Sequence, residues 1–317
     1  MIIKGFHVES SHIEYLLIVK KGKDIEMMTG WLVVNEFLHS NKFNEIHQWL
    51  SDSAMRQGVN LIVKTNGQLL IDLPGIKFKD PVDFVLFWDK DVRLARYLEQ
   101  LGYPVFNSSG AIEICDDKSL THLTLMNKNI PMPRTIIAPK TFDNIGYTNL
   151  EFTKEVGECL GYPLVVKECF GSFGQQVYLV NDLEELQNKI KALATKPLLF
   201  QEFISSSFGR DVRIQVVGSK VVASMYRHSD NGDFRANLSI GGKMKKYIPT
   251  IEQARLAIQS CQIIGLDFAG VDILFGNDDE AIICEVNSNA HFKNIFDCTG
   301  VNVADEIIIL IKNRLDV

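Results

Sequence analysis

Glu285 and Asn287 stand two residues apart at the end of an apolar run, Ala281-Ile282-Ile283-Cys284. Read as a strand, the run alternates its side chains with a period of two, so a carboxylate and a carboxamide share one face. Asp272 interrupts a second apolar run, "FAGVDILF", and Gly276-Asn277-Asp278-Asp279 between the two reads as a hairpin turn. Closing that hairpin brings three oxygen-bearing side chains together. Hard oxygen ligands suit magnesium, which completes its octahedron with phosphate and water. The same three residues would also fit a satisfied polar trio at a sheet edge. Two carboxylates converging without a cation repel, however, and are costly to bury unpaired. The metal reading is the better of the two.

A second group lies in "KECFGSFGQQV", residues 167–177. Gly171 and Gly174 flank Ser172 and Phe173, and such a loop lets backbone N–H groups approach phosphate oxygens closely. Lys167 adds a point charge. An ordinary glycine-rich hairpin has the same composition, and the GxxxxGK[ST] phosphate loop is absent from the chain. "QEFI", Gln201 to Ile204, ends a strand and is able to offer backbone groups and the Glu202 carboxylate to an adenine. Asp211 is able to accept ribose hydroxyls. In "GDFRANLSIGGK", Arg235 and Asn237 share a face of an extended segment, which supplies a cation and an amide for metal-bound phosphate. A solvated loop reads identically.

The elements that must position these residues fall into two styles. From residue 29 to 112, strands ("GWLVVNEFL", "VNLIVKT", "DFVLFWD", "YPVFNS") alternate with helices over 42–58 and "DVRLARYLEQLG". This predicts a small parallel α/β domain. From about Asp116 hairpins dominate. "DDKSLTHLTLMNKN" predicts a helix with Leu120, Leu123 and Met126 as its apolar stripe. "EVGECLGYPLVVKECFGSFGQQVYLVND" reads as strand, glycine loop, strand. "LEELQNKIKAL" is a helix, and 210–227 is a hairpin turning at Gly218-Ser219. "TIEQARLAIQSCQIIG" and "VADEIIILIKNRL" are helices. The expected divisions are an N-terminal extension (1–28), an α/β domain (29–115), a central lobe (116–195) and a C-terminal lobe (196–317).

A net charge of −6 argues against nucleic-acid binding through a broad basic surface. The six cysteines form no CxxC pair, and several sit in apolar runs. This predicts buried, reduced thiols in a cytoplasmic protein, without a zinc site or disulfide framework. No apolar run reaches the length of a membrane span.

Together these segments resemble the ATP-grasp carboxylate–amine ligases of the RimK type. The likeness runs from about residue 110 to 317. It rests on eight segments in order: "DDKSLTHLTL", "PLVVKECFGSFGQQV", "LLFQEFI", "GRDVRIQVVG", "GDFRANLSIGG", "AGVDILF", "EVNSNAHFKN" and "TGVNVADEI". The resemblance implies a parallel α/β pre-ATP-grasp domain followed by a two-lobed ATP-grasp fold, α/β and α+β in class. It further implies that Lys118, Lys167, Gly171, Ser172 and Gly174 hold the phosphates of ATP. Gln201, Glu202, Phe203 and Ile204 would grip adenine and Asp211 the ribose, with Arg235 and Asn237 at the γ-phosphate. Asp272, Glu285 and Asn287 would bind magnesium or manganese, two ions bridged by Glu285. Arg235 is the first candidate to stabilise the tetrahedral intermediate and Arg227 the second.

The implied reaction makes an amide through an acyl phosphate and releases ADP and phosphate. Glutamate or a similar amino acid would join an amine-bearing acceptor, whether small molecule, peptide or carrier protein. The resemblance also suggests a homo-oligomer. Within the family the pattern is mixed. Gln176 stands where many such ligases carry a third glycine, and "NSNAHFKN" is nearer the lysine-pathway ligases. "GDFRANL" is nearer the ribosomal-protein glutamate ligases. His291, Lys293 and Asn294 lie where substrate recognition is expected. Two other readings remain: a D-alanine–D-alanine-like ligase, and an ATP-binding regulator without chemistry. The presence of all three metal-ligand types argues against the regulator.

Overall fold

The computed structural model describes residues 27–73, 78, 81–172 and 174–315. The expected extension lies outside them, apart from Met27 and Met28, as does Phe173 of the glycine loop.

The chain opens with β1 (Thr29–Val34), α1 (Asn41–Arg56), β2 (Asn60–Thr65), β3 (Phe84–Phe87), α2 (Val92–Gln100) and β4 (Val105–Phe106). All four strands run parallel in the order β2-β1-β3-β4. Two helices follow, α3 (Ser109–Asp116) and α4 (Lys118–Leu125). α3 was not expected. Ser108 caps it by accepting the Ala111 N–H, an N-cap that the sequence carries openly. α4 is shorter than expected and turned. It buries Lys118, Thr121 and Leu125, whereas Leu123 and Met126 are exposed.

The central lobe contains β5 (Thr135–Ile137), α5 (Phe152–Leu160), β6 (Leu164–Glu168), β7 (Val177–Val180), α6 (Leu183–Leu193) and β8 (Leu198–Glu202). Its antiparallel sheet has the order β5-β8-β6-β7, so it extends past residue 195. The segment before Gly161, expected as strand, is the helix α5. Gly157 is tolerated there because the Tyr162 ring lies over it: a Cβ at this position would stand 2.7 Å from the phenol oxygen.

The C-terminal lobe contains β9 (Arg210–Val217), β10 (Lys220–His228), β11 (Lys243–Lys246), α7 (Ile251–Ile264), β12 (Phe268–Phe275), β13 (Ala281–Asn287), α8 (Lys293–Thr299) and α9 (Val303–Leu315). The strands form an antiparallel sheet ordered β11-β10-β9-β12-β13. Both predicted hairpins are present; β11 and α8 were missed.

One hydrophobic core joins the first and last parts of the chain. Leu32, Ile46, Leu86 and Trp88 pack with Met225, Phe268, Phe292 and Ile308. Trp88 stacks on Phe268 with ring centroids 5.5 Å apart. Buried Asn107 fastens the same junction. Its amide donates to the carbonyls of Phe268 (3.0 Å) and Ser288 (3.1 Å), and its oxygen accepts from the Asp267 and Phe268 N–H groups. The central lobe keeps a separate core around Leu164, Leu186 and Phe200. The N-terminal sheet and C-terminal lobe thus share one packed interior, and the central sheet faces them across a cleft.

Candidate active site

The cleft between the central sheet and the C-terminal sheet encloses about 890 Å³. Most of the predicted residues line it: Lys118, Lys167, Gly171, Ser172, Gly174, Gln201, Glu202, Phe203, Ile204, Asp211, Arg227, Arg235, Asn237, Asp272 and Glu285. Asn287 alone of the predicted set lies apart, in a second chamber of about 940 Å³. The two spaces share Ser172, Arg227, Asn237 and Glu285 as wall residues.

The floor is a row of charges set by strand register. Asp211 on β9 pairs with Arg227 on β10; Arg213 on β9 pairs with Asp272 on β12; Asp272 pairs with Glu285 on β13. Directly opposed residues in a sheet have side chains close enough to interact. Arg213 Nε and Nη2 donate to the two oxygens of Asp272 at 2.7 and 2.6 Å. Arg227 donates to both oxygens of Asp211 at 2.6 and 2.7 Å and reaches Asp272 Oδ2 at 3.1 Å. Burial alone would raise the Asp272 pKa, but the two guanidinium charges hold it down at about 2. Lys118 Nζ lies 3.5 Å from Glu285 Oε1. The carboxylates therefore converge with cations already among them, and their convergence alone does not demand a metal. Arg213 was missed. Its spacing of two from Asp211 placed it on the same strand face, which was the available signal.

β13 departs from strict alternation. The register slips between Asp272 and Ile273, leaving Cys284 as the extra residue of a bulge. Cys284 is consequently half-buried and lines the cleft, 3.7 Å from Lys167 Nζ. The thiols are less uniform than expected: Cys115, Cys169 and Cys261 are buried, but Cys159 is exposed.

Lys167 is buried on β6 and, among the described residues, makes no ion pair. A dehydrated ammonium without a carboxylate is a ready partner for an anion. Lys118 is held at the first turn of α4. Asp117 caps that helix through the Ser119 N–H at 2.8 Å, and Lys118 donates its own N–H to the Cys169 carbonyl and its ammonium to the Gly171 carbonyl. Gly171 and Gly174 have φ of +141° and +74°, conformations that favour glycine. A Cβ on Gly174 would also come within 2.7 Å of the Asn237 side chain. Gln176 folds back so that its oxygen accepts the Ser172 N–H at 3.2 Å.

Arg235 pairs with Asp233 and donates to the Gly174 carbonyl at 2.6 Å. It fastens the glycine loop, whereas Arg227 stands where the two chambers meet. Both Asp211 oxygens already accept from Arg227, so a ribose hydroxyl would share them. The Gln201 amide donates to Thr135 Oγ1 and meets His122 Nε2 at 2.9 Å. Glu202 accepts the Arg134 N–H at 2.7 Å. Past Glu202 the chain leaves the sheet, and Phe203 and Ile204 continue along the cleft wall beside Phe234.

The donor set fits a magnesium ion. Glu285 is partly open, Asp272 Oδ1 accepts only one bond, and the Asn287 side chain brings an amide oxygen, the third hard donor. Among the described residues no three His, Cys, Asp or Glu side chains cluster to hold a metal, so an ion here would also draw on the Asn287 amide oxygen. His291 and Asn294 line the second chamber, while Lys293 pairs with Asp297 along α8 at 2.7 Å.

Residues 115–311 match the RimK-like ATP-grasp domain. The chain belongs to that family. It is 32% identical over 275 residues to the uncharacterized protein MG012 homolog of Mycoplasma pneumoniae, covering 85% of this chain and 93% of that one. It is 35% identical over 233 residues to beta-citrylglutamate synthase B of Danio rerio, covering 72% of this chain and 56% of that protein. The chain thus spans little more than half of the zebrafish synthase. Among solved structures, the ATP-grasp ligase PsnB with a phosphomimetic precursor variant, Mg and ADP superposes with a TM-score of 0.68. That match has 16% identity over 91% of this chain and 99% of PsnB. The expected RimK-type ATP-grasp ligase class and its two-part fold are borne out, and ATP with magnesium is the family's nucleotide–metal pair. Among the described residues no helix is long and apolar enough to cross a membrane.

Proposed function

We propose that the protein joins a carboxylic acid to an amine by way of an acyl phosphate, releasing ADP and phosphate. The observation that carries this reading is the shared wall: Arg227 and Glu285 border both the cleft and the second chamber. A nucleotide in the cleft would meet a second substrate only there. A carboxylate is a poor electrophile, and phosphorylating it makes it a good one.

Phe203, Ile204 and Phe234 would enclose the base. Lys167, Lys118 and the N–H groups of the glycine loop would hold the phosphates. Arg227, fixed by Asp211 and Asp272, would face the oxyanion as the amine adds. Arg235 would keep the glycine loop over the phosphates and water out. One or two magnesium ions held by Glu285, Asn287 and the open side of Asp272 would supply charge neutralisation on the phosphates. The zebrafish relative is named for a citryl–glutamate product, so glutamate is the amino acid we assign as one partner.

Hydroxylamine in place of the amine tests the chemistry. Trapping of a hydroxamate together with ADP supports the acyl phosphate. AMP and pyrophosphate would mean adenylation and overturn it.

A further inference from the structure

The glycine loop joins β6 to β7, and several of its polar groups already have partners within the chain. Lys118 donates to the Gly171 carbonyl at 3.1 Å and Arg235 to the Gly174 carbonyl at 2.6 Å. The Ser172 N–H donates to Gln176 Oε1 at 3.2 Å. Only the oxygen of a carboxamide accepts, so this bond fixes which end of Gln176 meets the loop. The contact goes beyond one bond. A Cβ on Gly171 would come within 2.5 Å of that oxygen and 2.7 Å of Gln176 Cδ, so the carboxamide lies against the bare face of Gly171. Gln176, Gly171 and Ser172 all line the cleft.

The backbone of Gln176 is held in place, because its carbonyl accepts the Glu168 N–H at 3.1 Å. The side chain is therefore the part that is able to leave. Its oxygen is a neutral acceptor on an N–H that a phosphate oxygen would also take. A charged acceptor makes roughly twice as strong a bond as a neutral one. A phosphate thus displaces the carboxamide, but its net affinity is reduced by the bond that it breaks. A glycine at position 176 would have no side chain to displace.

We infer that Gln176 is a built-in competitor for the phosphate seat of the glycine loop, and that it sets how tightly this chain holds its nucleotide. ADP or ATP takes the Ser172 N–H and turns the carboxamide out. When ADP leaves, the carboxamide oxygen returns to the same N–H. This rests on the reading of the cleft as the nucleotide site of a ligase, and adds to it the residue that tunes nucleotide affinity from within the loop.

The test is calorimetric titration of the full chain and of Gln176→Met with ADP and magnesium, and separately with adenosine, which has no phosphate. Methionine keeps a side chain of similar length over Gly171 but offers only a weak acceptor. The expected result is ADP bound about twofold to tenfold more tightly by the variant, the worth of one neutral hydrogen bond, with adenosine affinity unchanged. Gln176→Glu should act the other way and weaken ADP, because a carboxylate holds the same N–H more firmly and repels the phosphate. Unchanged ADP affinity in the methionine variant, an equal gain for adenosine, or wild-type ADP affinity in the glutamate variant would each overturn the inference. Weaker ADP binding by Gln176→Met would overturn it too, by showing that the carboxamide supports the bound phosphate. All four results leave the ligase reading standing, whereas failure of the wild-type chain to bind ADP would overturn both.

Discussion

The cleft and the second chamber are similar in size and share a wall, yet their polar groups are in opposite conditions. In the cleft, Asp211, Asp272 and Glu285 each have a cation within reach before any ligand arrives. In the chamber wall, Asn287, Ser288, Asn289 and His291 each carry a buried polar atom without a partner. The first is an electrostatic frame that stands by itself. The second keeps polar groups that nothing in the protein satisfies. A frame of the first kind suits a nucleotide that is common to many reactions.

The largest break in that contrast is Arg227→Leu. It removes the charge between two buried carboxylates, so unfolding in urea should show a loss of about 3–5 kcal/mol. Arg227→Lys should recover part of it. Wild-type stability in the leucine variant would mean that the charge row is not the frame of the site. Lys167→Ala is next. It should weaken ADP binding about tenfold to a hundredfold and leave acid binding in the chamber untouched, because Lys167 does not line it. Equal loss at both sites would erase the distinction.

His122 offers a smaller, pH-dependent effect behind the cleft. Burial, then the Lys167 charge, lowers its pKa to about 4. The folded protein therefore prefers the neutral ring, and the unfolded chain binds more protons below the ordinary value of 6.5. Stability from this residue is complete above pH 6.5 and falls as the pH drops toward 4. His122→Gln should flatten the slope of urea midpoint against pH in that window, and an unchanged slope would remove His122 as a cause. The smallest effect is Ser288→Ala. Removing a hydroxyl without a partner should change stability by less than about 1 kcal/mol. A large stability loss would mean that the hydroxyl belongs to the frame.

The same contrast decides what could be read from the sequence. The cleft was legible because its residues lie in short windows with strand periodicity. Asp272, Glu285, Lys167 and the glycine loop needed only local pairing rules. Arg213 was overlooked although it obeyed the same rule, and Cys284 turned toward the cleft because a bulge breaks the alternation. The chamber was legible only in part. His291 and Asn294 were noticed through family likeness, but Lys42 joins them from 249 residues away. Nothing local in "SNKFNEIHQWL" marks Lys42 as part of a chamber wall, since packing of α1 against the C-terminal lobe creates that wall. The helix α5 was read as strand, and its one glycine, Gly157, serves close contact with Tyr162.

One measurement bears most directly on the claim that two chambers meet in a single reaction. Purified protein is incubated with ATP, magnesium, citrate and glutamate, alone and together, while ADP, phosphate and product masses are followed. The account predicts ADP and phosphate in equal amounts with a new amide when citrate and glutamate are supplied together, and no amide with citrate alone. ADP formed at the same rate without any acid, or AMP in its place, would contradict it.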